Sequence, residues 1–514
     1  MTLAAVLERA ALRRPHADAV VDGERRLTYA ELAARARALA EGFRRLGVGR
    51  GDRVLLVLRN RLEHVLGYWA LQLLGGVPTP VNFRLAPAEL RYVLQDSGAR
   101  VAIGETSTAG ALAEAARGVD VELVAVGEDG PPGAIAFDEV GATRPGALPV
   151  VAARDLSLIL YTSGTTGRPK GVPRTHRNHV AGAVAQVVQC GYTWQERTLG
   201  VMPLYHTMGI HALTSMAAID GCFVCQPEWS PAQALSLIAH EGVSALYLIP
   251  TLFYDLVHAP GFAAADVSSV RKLAYAGAPM LAPLTEACVN AFRPAVFVNH
   301  YGSTEIYTFT VRSDVGAKPG CAGRAGLHST IRVVAASTER RVGPDDVVPP
   351  GEKGEIIASL ASEEAFAGYW NRPDADAKAL REGWYFTGDM GWLDAEGELY
   401  VAGRVDDMII SGGENIHPVE IEDVLARHPD VRDVAVVGEP DARLGERVVA
   451  DVARRAARDA ERLAIKEMLE RVHWNRAKAA RLLQISYKAL LYKIVDCGLA
   501  SPASETEEEL AAAS

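Results

Sequence analysis

The order of hydrophobic and polar positions predicts regular alternation of helices and strands from Leu27 to about Tyr400. Apolar residues recur at helical spacing in the stretch YAELAARARALAEGFRRLG at 29–47, which predicts an amphipathic helix. Short apolar runs predict strands buried on both faces, among them RVLLVL, VPTPVN and ARVAIGE between 53 and 105. Alternating strands and helices are typical of an α/β fold with parallel sheets. A stretch rich in Gly and Pro at 127–149 predicts a long surface connection.

The pattern changes after Gly403. A loop, SGGENIHP, a short helix, PVEIEDVLARHP, and an apolar strand, DVAVVG, predict the opening of a smaller α+β domain. From about Arg454 the sequence turns continuously helical, and from Ser501 its small and acidic residues predict a disordered tail. The expected parts are residues 1–402, 403–455, 456–500 and 501–514.

Composition and charge limit the class of protein. The 514 residues predict more than one domain, and 49% hydrophobic with 23% charged residues is globular composition. The net charge of −10 excludes a chain that is polybasic throughout, so any binding of nucleic acid must be local. The longest nearly apolar stretch, Val65 to Val77, is too short to span a bilayer, and Glu8 and Arg9 interrupt the N-terminal apolar residues. We expect a cytoplasmic protein with no membrane partner.

Six cysteines in a chain of this length are too few for a disulfide framework. Cys222 and Cys225 form a C-x-x-C pair, but no second Cys or His pair stands nearby at zinc spacing. We therefore favour a buried strand over a metal or redox site there.

The stretch LILYTSGTTGRPKGV at 158–172 predicts a buried strand that runs into a phosphate-binding loop closed by Lys170. Pro169 before the lysine excludes a Walker A loop, which needs Gly at that position. Free backbone N–H groups, hydroxyls and an ammonium suit a polyphosphate. The candidate nucleotide-binding residues of the loop are Thr162, Ser163, Gly164, Thr165, Thr166 and Gly167.

This loop matches [ST]-S-G-[ST]-T-G-x-P-K-G, and the chain resembles the adenylate-forming superfamily of acyl-CoA synthetases over about residues 1–452. Six further blocks repeat the resemblance in order: PLYHTMG, YAGAPM, NHYGSTE, PGEKGEI, GWYFTGD and GRVDDMIISGGENIHPVEIE. The resemblance implies a large N-terminal domain of doubly wound sheets with a small β-barrel, followed by an α+β subdomain. It also implies activation of a small-molecule carboxylic acid by ATP and Mg²⁺ to an acyl-AMP, then transfer to coenzyme A. We expect a homodimer.

The catalytic residues that the resemblance implies are Lys170, His206, Thr304, Glu305 and Arg404. Thr304 would contact phosphate, and Glu305 would bind magnesium, a hard cation that prefers oxygen ligands. Tyr301 would stack on adenine, and Gly302 and Ser303 would line the α-phosphate and the acyl carbonyl.

Further positions follow from the later blocks. Asp389 would accept both ribose hydroxyls, since a carboxylate suits a vicinal diol. Arg404 would reach the ribose or phosphate, and Asp406 would be the hinge about which the small domain rotates. Gly412 and Gly413 would let the backbone approach the pantetheine of coenzyme A.

The block around His206 resembles most closely the aryl-CoA ligases that activate benzoate-type acids, the 4-chlorobenzoate ligases among them. By that resemblance the walls of the acid pocket are His206, Tyr247, Ala276, His300, Gly302 and Ile306. A flat ring or a medium acyl chain fits such walls. An amino acid fits less well, because no Asp stands where it would meet the substrate ammonium.

The chain departs from the superfamily near its C-terminus, where a P-K-x-x-x-F and a G-K-x-x-R motif are expected and are not present. The final lysine of that ending neutralises charge in adenylation, so the subdomain is expected to be truncated, with adenylation slowed and thioester formation in doubt.

Residues 459–499 instead resemble the Fis-type helix-turn-helix of NtrC-like bacterial regulators, through N-R-A-K-A-A-R-L-L-Q-I-S-Y-K-A-L-L-Y-K-I. The DNA-binding residues that this resemblance implies are Arg476, Lys478, Tyr487, Lys488 and Lys493. A helical cap in place of the missing half-domain is the alternative for this segment.

Two functions from different classes remain at this stage. The first is an ATP- and Mg²⁺-dependent acid–CoA ligase fused to a DNA-binding module. The second is a transcriptional regulator that uses the ligase body to sense an acid, its acyl-AMP or its acyl-CoA. A fusion of two reading frames in which neither half works fully is a third possibility. Retention of Lys170, Glu305, Asp389 and Arg404 favours an active nucleotide site.

Overall fold

A computed structural model describes most of the chain. The described residues are 1–162, 168–318, 320–336, 342–404, 409–411, 414–416, 418–425, 428, 431–441, 445–454 and the single positions 465, 466, 468, 469, 474, 476, 479 and 490. The chain divides into two compact units, Met1–Val401 and Ala402–Ser514.

The α-helices of the described residues are numbered in chain order. They are α1 (Leu3–Arg13), α2 (Tyr29–Arg45), α3 (Leu62–Leu74), α4 (Pro87–Ser97), α5 (Ala109–Ala116), α6 (Phe137–Gly141), α7 (His176–Gln189), α8 (Thr207–Ala218), α9 (Pro231–Glu241), α10 (Pro250–Val257), α11 (Ala282–Phe292), α12 (Pro373–Ala379) and α13 (Pro418–Leu425).

The strands of the first unit begin with β1 (Asp18–Asp22), β2 (Arg25–Thr28), β3 (Arg53–Val57), β4 (Val77–Pro80), β5 (Val101–Glu105), β6 (Glu122–Val126), β7 (Ile135–Ala136), β8 (Leu156–Thr162), β9 (Lys170–Thr175), β10 (Arg197–Gly200), β11 (Cys222–Cys225), β12 (Ala245–Leu248), β13 (Lys272–Tyr275) and β14 (Val296–Tyr301). They continue with β15 (Thr310–Arg312), β16 (Cys321–Ala325), β17 (Ile331–Val334), β18 (Gly354–Ser359), β19 (Leu380–Arg381) and β20 (Trp384–Leu393). Strand β21 (Leu399–Arg404) begins in the first unit and ends in the second. The second unit contains β22 (Ile409–Ser411), β23 (Glu414–Ile416), β24 (Val431–Asp441) and β25 (Gly445–Arg454).

Helix α2 shows how local sequence sets an element. The Thr28 hydroxyl accepts the backbone N–H of Glu31 at 3.3 Å, and the Glu31 carboxylate accepts the Thr28 N–H at 2.9 Å. This capping box satisfies two N–H groups that the helix leaves unpaired. Leu32, Ala36 and Leu39 recur at helical spacing and are buried. The predicted helix at 29–47 is confirmed at Tyr29–Arg45.

The parallel strands form the part of the fold that positions the site. Strands β1, β11, β10, β12, β13 and β14 lie side by side in this order, and each pair is parallel. Leu248 pairs with Tyr275, and Tyr275 pairs with Asn299, so β12, β13 and β14 end at one edge. Ligands of open α/β sheets bind outside the carboxyl ends of the strands.

The antiparallel strands extend this sheet. Strand β16 pairs with β15 on one side and with β21 on the other, and β20, β18 and β17 follow. These strands continue the 14-stranded sheet of the described residues, and the small barrel that the resemblance implies stays a prediction. A separate parallel sheet has the order β4-β3-β5-β6-β7 and contains the three strands predicted between 53 and 105.

The structure tests two other predictions about the first unit. Strand β11 is buried along its whole length, which confirms the predicted buried strand, and burial raises the pKa of Cys222 to about 12. The prediction of one long connection at 127–149 is wrong in part, because β7 and α6 lie within it. Phe137 and Val140 of α6 are buried and attach this stretch to the core.

The second unit contains a four-stranded antiparallel sheet of order β23-β22-β25-β24. The backbone N–H of Val436 donates to Glu422 at 2.8 Å and links α13 to β24. In the predicted helix-turn-helix segment only single positions are described, and those at 465, 466, 468, 469, 476, 479 and 490 are helical. The division of this unit at 455 and 500 stays a prediction. No helix within the described ranges is long and apolar enough to cross a membrane.

Candidate active site

The ends of the predicted phosphate loop are held together by a hairpin. Strands β8 and β9 are antiparallel, and Thr162 pairs with Lys170. The Tyr92 hydroxyl donates to the carbonyl of Pro169 at 3.1 Å, which fixes the residue before the lysine. Ser163, Gly164, Thr165, Thr166 and Gly167 lie outside the described residues. The hairpin explains how both ends of the loop reach the same place.

Tyr369 connects Lys170 with Glu305. The ammonium nitrogen of Lys170 lies 4.3 Å from the centroid of the Tyr369 ring, within range of a cation–π contact. The Tyr369 hydroxyl donates to Oε1 of Glu305 at 2.6 Å. Burial, with the adjacent Glu305 second, raises the pKa of Tyr369, so this hydroxyl keeps its proton. The contact brings the predicted phosphate and metal residues into one group.

The loop between β14 and β15 holds Glu305 in a fixed position. The Ser303 hydroxyl accepts the backbone N–H groups of Glu305 at 3.2 Å and of Ile306 at 3.4 Å. On the other side, the Glu305 carbonyl accepts from Arg174 Nη1 at 2.7 Å and from the Phe366 N–H at 2.9 Å. The loop is therefore attached both to itself and to neighbouring segments.

Gly302→Ala is expected to disturb this loop, because a methyl group there would lie 2.0 Å from the carbonyl oxygen of Tyr307. Overpacking of this kind costs about 1–3 kcal/mol. We expect a lower melting temperature and slower acyl-AMP formation, measured by thermal unfolding and by product release. Gly316→Ala is the control, since its nearest neighbour would be 3.9 Å away at Asp314. Equal melting temperatures for the two variants would contradict the assigned close approach.

Tyr301 and Asp389 meet directly. The Tyr301 hydroxyl donates to Oδ2 of Asp389 at 2.6 Å. Phe386 and Met390 of β20 are four positions apart, but their partners in β18, Ile357 and Glu355, are only two positions apart. Strand β20 therefore bulges between them, and the bulge contains Asp389. Gly388 takes a φ of +74° within this bulge, a value that favours glycine. The structure thus brings together the two residues that the resemblance assigns to the nucleoside.

Three predicted walls of the acid pocket lie at the carboxyl ends of neighbouring strands. Tyr247 is the second-last residue of β12, Ala276 directly follows β13, and His300 is the second-last residue of β14. Tyr247 and His300 are buried, and their rings meet nearly perpendicular with centroids 5.7 Å apart. Burial lowers the pKa of His300 to about 4, so its ring is neutral at pH 7. Tyr247 and His300 thus form a buried aromatic pair, and His300 lies in the strand that leads to the loop of Glu305.

His206 caps the N-terminus of α8. Its Nδ1 accepts the backbone N–H of Met208 at 3.4 Å, which leaves the proton on Nε2. Solvent reaches the His206 side chain, but surrounding protein desolvates it and lowers its pKa. A methyl group at Gly277 would lie 4.0 Å from the Met208 sulfur, so the start of α8 borders the loop that contains Ala276. His206 therefore offers a neutral N–H donor beside the candidate pocket.

The remaining predicted residues lie in the loop of Glu305, in other parts of the described chain or outside the described residues. Ile306 is fully buried in a cluster with Phe309 and Phe366, separate from the cluster that contains Tyr247. Thr304 is half-buried in the loop of Glu305, and Arg404 is exposed in the second unit. Arg476 occupies an exposed helical position. The predicted residues outside the described ranges are Asp406, Gly412, Gly413, Lys478, Tyr487, Lys488 and Lys493.

Sequence reasoning missed Tyr369 and Arg174. Tyr369 is 64 positions from Glu305, and no spacing rule connects residues so far apart. Arg174 is completely buried although arginine is almost always exposed. The sequence of β9 gave no signal for it, because the strand has both buried and half-buried residues and no regular alternation.

The carboxylate of Glu305 fits one kind of metal site. Within the described ranges no three His, Cys, Asp or Glu side chains are placed to hold a metal ion together. Glu305 is buried, its Oε1 accepts from Tyr369, and its Oε2 accepts no hydrogen bond from a described residue. Mg²⁺ at sites of phosphate chemistry is usually held by one or two carboxylates together with substrate phosphates. Glu305 fits such a shared site and does not fit an all-protein cage.

Comparisons with known proteins match most of the chain. The sequence profile of the AMP-binding enzyme family matches residues 7–370, and that of the AMP-binding enzyme C-terminal domain matches 420–484. The second match runs past residue 455 into the predicted helix-turn-helix segment. A feruloyl-CoA synthase from Amycolatopsis sp. is 38% identical over 443 residues, which cover 85% of this chain and 86% of the relative.

Two more known proteins are similar to the chain. A 4-chlorobenzoate–CoA ligase from Arthrobacter sp. is 32% identical over 448 residues, 86% of this chain and 83% of the relative. The predicted likeness to the chlorobenzoate type is thus weaker than that to the feruloyl-CoA synthase. The structure of o-succinylbenzoate coenzyme A synthetase from Bacillus subtilis in complex with ATP and magnesium ion aligns with a TM-score of 0.75 and 29% identity, covering 88% of this chain and 89% of that one.

Proposed function

The chain belongs to the AMP-binding enzyme family, and on this basis we propose that it activates an aryl carboxylic acid with ATP and transfers the acyl group to coenzyme A. The enzyme is an acid–CoA ligase that works through an acyl-AMP and uses ATP, Mg²⁺ and coenzyme A. What we propose is the class of acid that this ligase activates. The observation that carries it is the perpendicular pair of Tyr247 and His300 at the carboxyl ends of the parallel strands. The relatives named for feruloyl-CoA and 4-chlorobenzoate support it.

The reaction has two steps. A carboxylate oxygen of the acid attacks the α-phosphorus of ATP, the bond to the pyrophosphate oxygen breaks, and an acyl-AMP forms. The sulfur of coenzyme A then attacks the acyl carbonyl, and AMP leaves. Little covalent chemistry falls to the protein, so its contribution is positioning and neutralisation of charge.

We assign roles from the contacts described above. Glu305, oriented by Tyr369, would share Mg²⁺ with the phosphates, and the bound cation would neutralise charge on the pyrophosphate. Lys170 would approach the phosphates from the other side of the Tyr369 ring. Asp389 would accept the ribose hydroxyls, and the Nε2–H of His206 would donate to the carboxylate of the acid.

Product analysis tests this proposal. The purified protein is incubated with Mg·ATP, coenzyme A and one acid at a time from a panel of benzoates, cinnamates, fatty acids and amino acids. We expect AMP and an aryl-CoA thioester, with higher kcat/KM for aryl acids than for the others. Higher kcat/KM for fatty acids would contradict the aryl assignment, and release of ADP would contradict the reaction.

A second function concerns residues 456–500, for which we propose DNA binding. The described positions there agree with amphipathic helices: Ile465, Leu469, Ala479 and Leu490 are buried, and Lys466 and Arg476 are exposed. Modules of the type that the sequence resembles bind as dimers to half-sites one helical turn apart, roughly 34 Å. The expected target is therefore a palindrome.

Replacing both Lys488 and Lys493 with Ala is expected to weaken DNA binding and reduce its salt dependence. Two lost phosphate contacts per chain are four per dimer, and they lower the slope of log K against log salt by about 3.6. Gel-shift titrations at several salt concentrations measure this. The double replacement of Lys353 and Lys378, which lie in the first unit, is the control and should leave the slope unchanged. If the unaltered protein does not bind DNA at about 50 mM salt, the DNA-binding proposal is wrong and the alternative, a helical cap, is favoured.

The alternative function as a regulator leads to a further prediction, which the same gel-shift titration tests. If the ligase body serves as a sensor, saturating acid with Mg·ATP changes the affinity for DNA, because a ligand shifts an equilibrium only through differential binding. Unchanged affinity with and without the acid would contradict the sensor function and leave ligase and DNA binding independent.

A further inference from the structure

Arg174 is a charged side chain in the interior of the first unit. Its exposed fraction is 0%, although arginine is almost never fully buried unless it is paired. A buried charge is tolerated only where its hydrogen-bonding groups meet partners in a good geometry. The partners of Arg174 therefore show which parts of the chain this side chain holds together.

Arg174 links two segments that are far apart in the sequence. Its Nη1 donates to the backbone carbonyl of Glu305 at 2.7 Å and to that of Glu364 at 2.5 Å. The guanidinium carbon also lies 3.6 Å from the centroid of the Tyr307 ring, within range of a cation–π contact. We name residues 362–370 the crossing segment. A single nitrogen atom of Arg174 thus joins the loop of Glu305 to the crossing segment.

The crossing segment contains the side chain that contacts the candidate metal ligand. Near its end, the Tyr369 hydroxyl donates to Oε1 of Glu305 at 2.6 Å. Nearer its start, Ala365 pairs with Ile306 in an antiparallel bridge, and the Phe366 N–H donates to the Glu305 carbonyl at 2.9 Å. The contact between Tyr369 and the Glu305 carboxylate therefore depends on how the crossing segment lies against the loop.

Strand β9 contacts both ends of the crossing segment. Lys170 and Arg174 are four residues apart in β9, so their side chains lie on the same face of the strand. The ammonium nitrogen of Lys170 lies 4.3 Å from the centroid of the Tyr369 ring, and the Trp370 N–H donates to the Gly171 carbonyl at 2.8 Å. Arg174 contacts the other end of the segment through the backbone. Of these contacts, the one made by Arg174 also includes the loop of Glu305.

We infer that Arg174 is a positioning residue for the magnesium ligand: by joining the loop of Glu305 to the crossing segment, it sets the orientation of the Glu305 carboxylate. The inference rests on the proposed function, in which Glu305 shares Mg²⁺ with the phosphates of ATP. Mg²⁺ demands near-ideal octahedral geometry with ligands at about 2.0–2.1 Å. A small shift of the loop is therefore expected to weaken metal binding, even though Arg174 itself stays outside the metal site.

Binding of ATP with and without metal tests the inference independently of turnover. Arg174→Met removes the charge and the donors but keeps an unbranched side chain. We expect the Kd for ATP, measured by titration calorimetry, to rise about 10-fold in the presence of Mg²⁺, the effect typical of losing a hydrogen bond to a charged group. In EDTA the Kd for ATP should be unchanged, because the Glu305 carboxylate then has no metal to share with the phosphates.

A double-mutant cycle shows whether Arg174 acts through Glu305. In a protein that already carries Glu305→Gln, the further change Arg174→Met should alter the Kd for Mg·ATP by less than about 2-fold, because the two residues act as one unit. Losses that multiply in the double variant would mean that Arg174 only stabilises the fold, and the inference would be wrong.

Arg174→Lys is the second variant. It keeps the charge and a donor but lacks the planar fork of the guanidinium, so a smaller rise of the Kd for Mg·ATP is expected. If thermal unfolding shows that Arg174→Met does not fold, the comparison with and without Mg²⁺ and the cycle with Glu305→Gln are made with Arg174→Lys instead. A loss in this variant that does not depend on the metal would overturn the inference as well.

Arg177→Met is the matched control. Arg177 lies three residues from Arg174 and forms an ion pair with Glu363 of the crossing segment, but the two side chains are 67% and 40% exposed. Exposed ion pairs contribute little, so the Kd for Mg·ATP should be unchanged.

The outcomes separate this inference from the proposed function. The inference is overturned if Arg174→Met folds and binds Mg·ATP as tightly as the unaltered protein, or if its binding of ATP weakens equally with and without Mg²⁺. Binding of Mg·ATP without pyrophosphate exchange for any acid would instead contradict the proposed function. An unaltered protein that does not bind Mg·ATP would contradict both.

Discussion

Glu305→Gln is expected to lower acid-dependent ATP–pyrophosphate exchange by about 10²- to 10³-fold, the loss typical of removing one preorganised electrostatic group. Glutamine keeps the size of the side chain and an acceptor for the Tyr369 hydroxyl, which lies 2.6 Å from Oε1. It lacks the negative charge that strengthens binding of a divalent cation. Measuring the exchange rate against magnesium concentration should show the loss together with a higher magnesium requirement.

Two variants separate this effect from general damage. Glu352→Gln alters an exposed carboxylate of the first unit and should leave exchange unchanged. Tyr369→Phe keeps the ring beside Lys170 but removes the hydrogen bond to Glu305, so a smaller loss is expected. An exchange rate and magnesium requirement of Glu305→Gln equal to those of the unaltered protein would exclude Glu305 as the metal ligand.

Asp389→Ala is expected to raise the KM for ATP by about 10²-fold, because two hydrogen bonds from the ribose to a charged acceptor are lost. The bulge in β20 that presents this carboxylate depends on Gly388 and on pairing with β18, neither of which the substitution changes. Initial rates of acid-dependent exchange at varied ATP concentration measure the KM.

A nucleotide with one hydroxyl removed makes this experiment sharper. The unaltered protein should have a lower KM for ATP than for 2′-deoxy-ATP. In Asp389→Ala the two KM values should be equal, because the variant no longer binds the 2′-hydroxyl that distinguishes the two nucleotides. Tyr301→Phe removes the hydroxyl that donates to Asp389 at 2.6 Å but keeps the carboxylate, so it should retain the preference. A preference that persists in Asp389→Ala would place the ribose elsewhere.

The regular part of the fold was predictable from the sequence. Strands β3, β4 and β5 are nearly continuous apolar runs, and α2 has both a helical apolar stripe and a capping box, so local pattern and observed structure agree. Helix α6 was not predicted, because five residues with only Phe137 and Val140 buried give too little periodicity within a stretch rich in Gly and Pro. Its formation depends on contacts with the core.

The candidate site was predictable only where a motif marks it. Glu305 and Asp389 stand in recognisable blocks, whereas the contacts that orient them come from Tyr369 and Tyr301, 64 and 88 positions away in the chain. Burial of Arg174 depends on the carbonyls and the ring that surround it, and none of these is adjacent in sequence. Tertiary contacts of this kind leave no trace in local pattern.

Acid-dependent ATP–pyrophosphate exchange tests the central claim most directly, because it reports formation of the acyl-AMP without requiring coenzyme A. The purified protein is mixed with Mg·ATP, labelled pyrophosphate and an aryl acid, and label entering ATP is followed over time. We predict incorporation that requires both the acid and magnesium and that falls in Glu305→Gln. Incorporation that does not depend on the acid, or none with any aryl acid tested, would contradict the account.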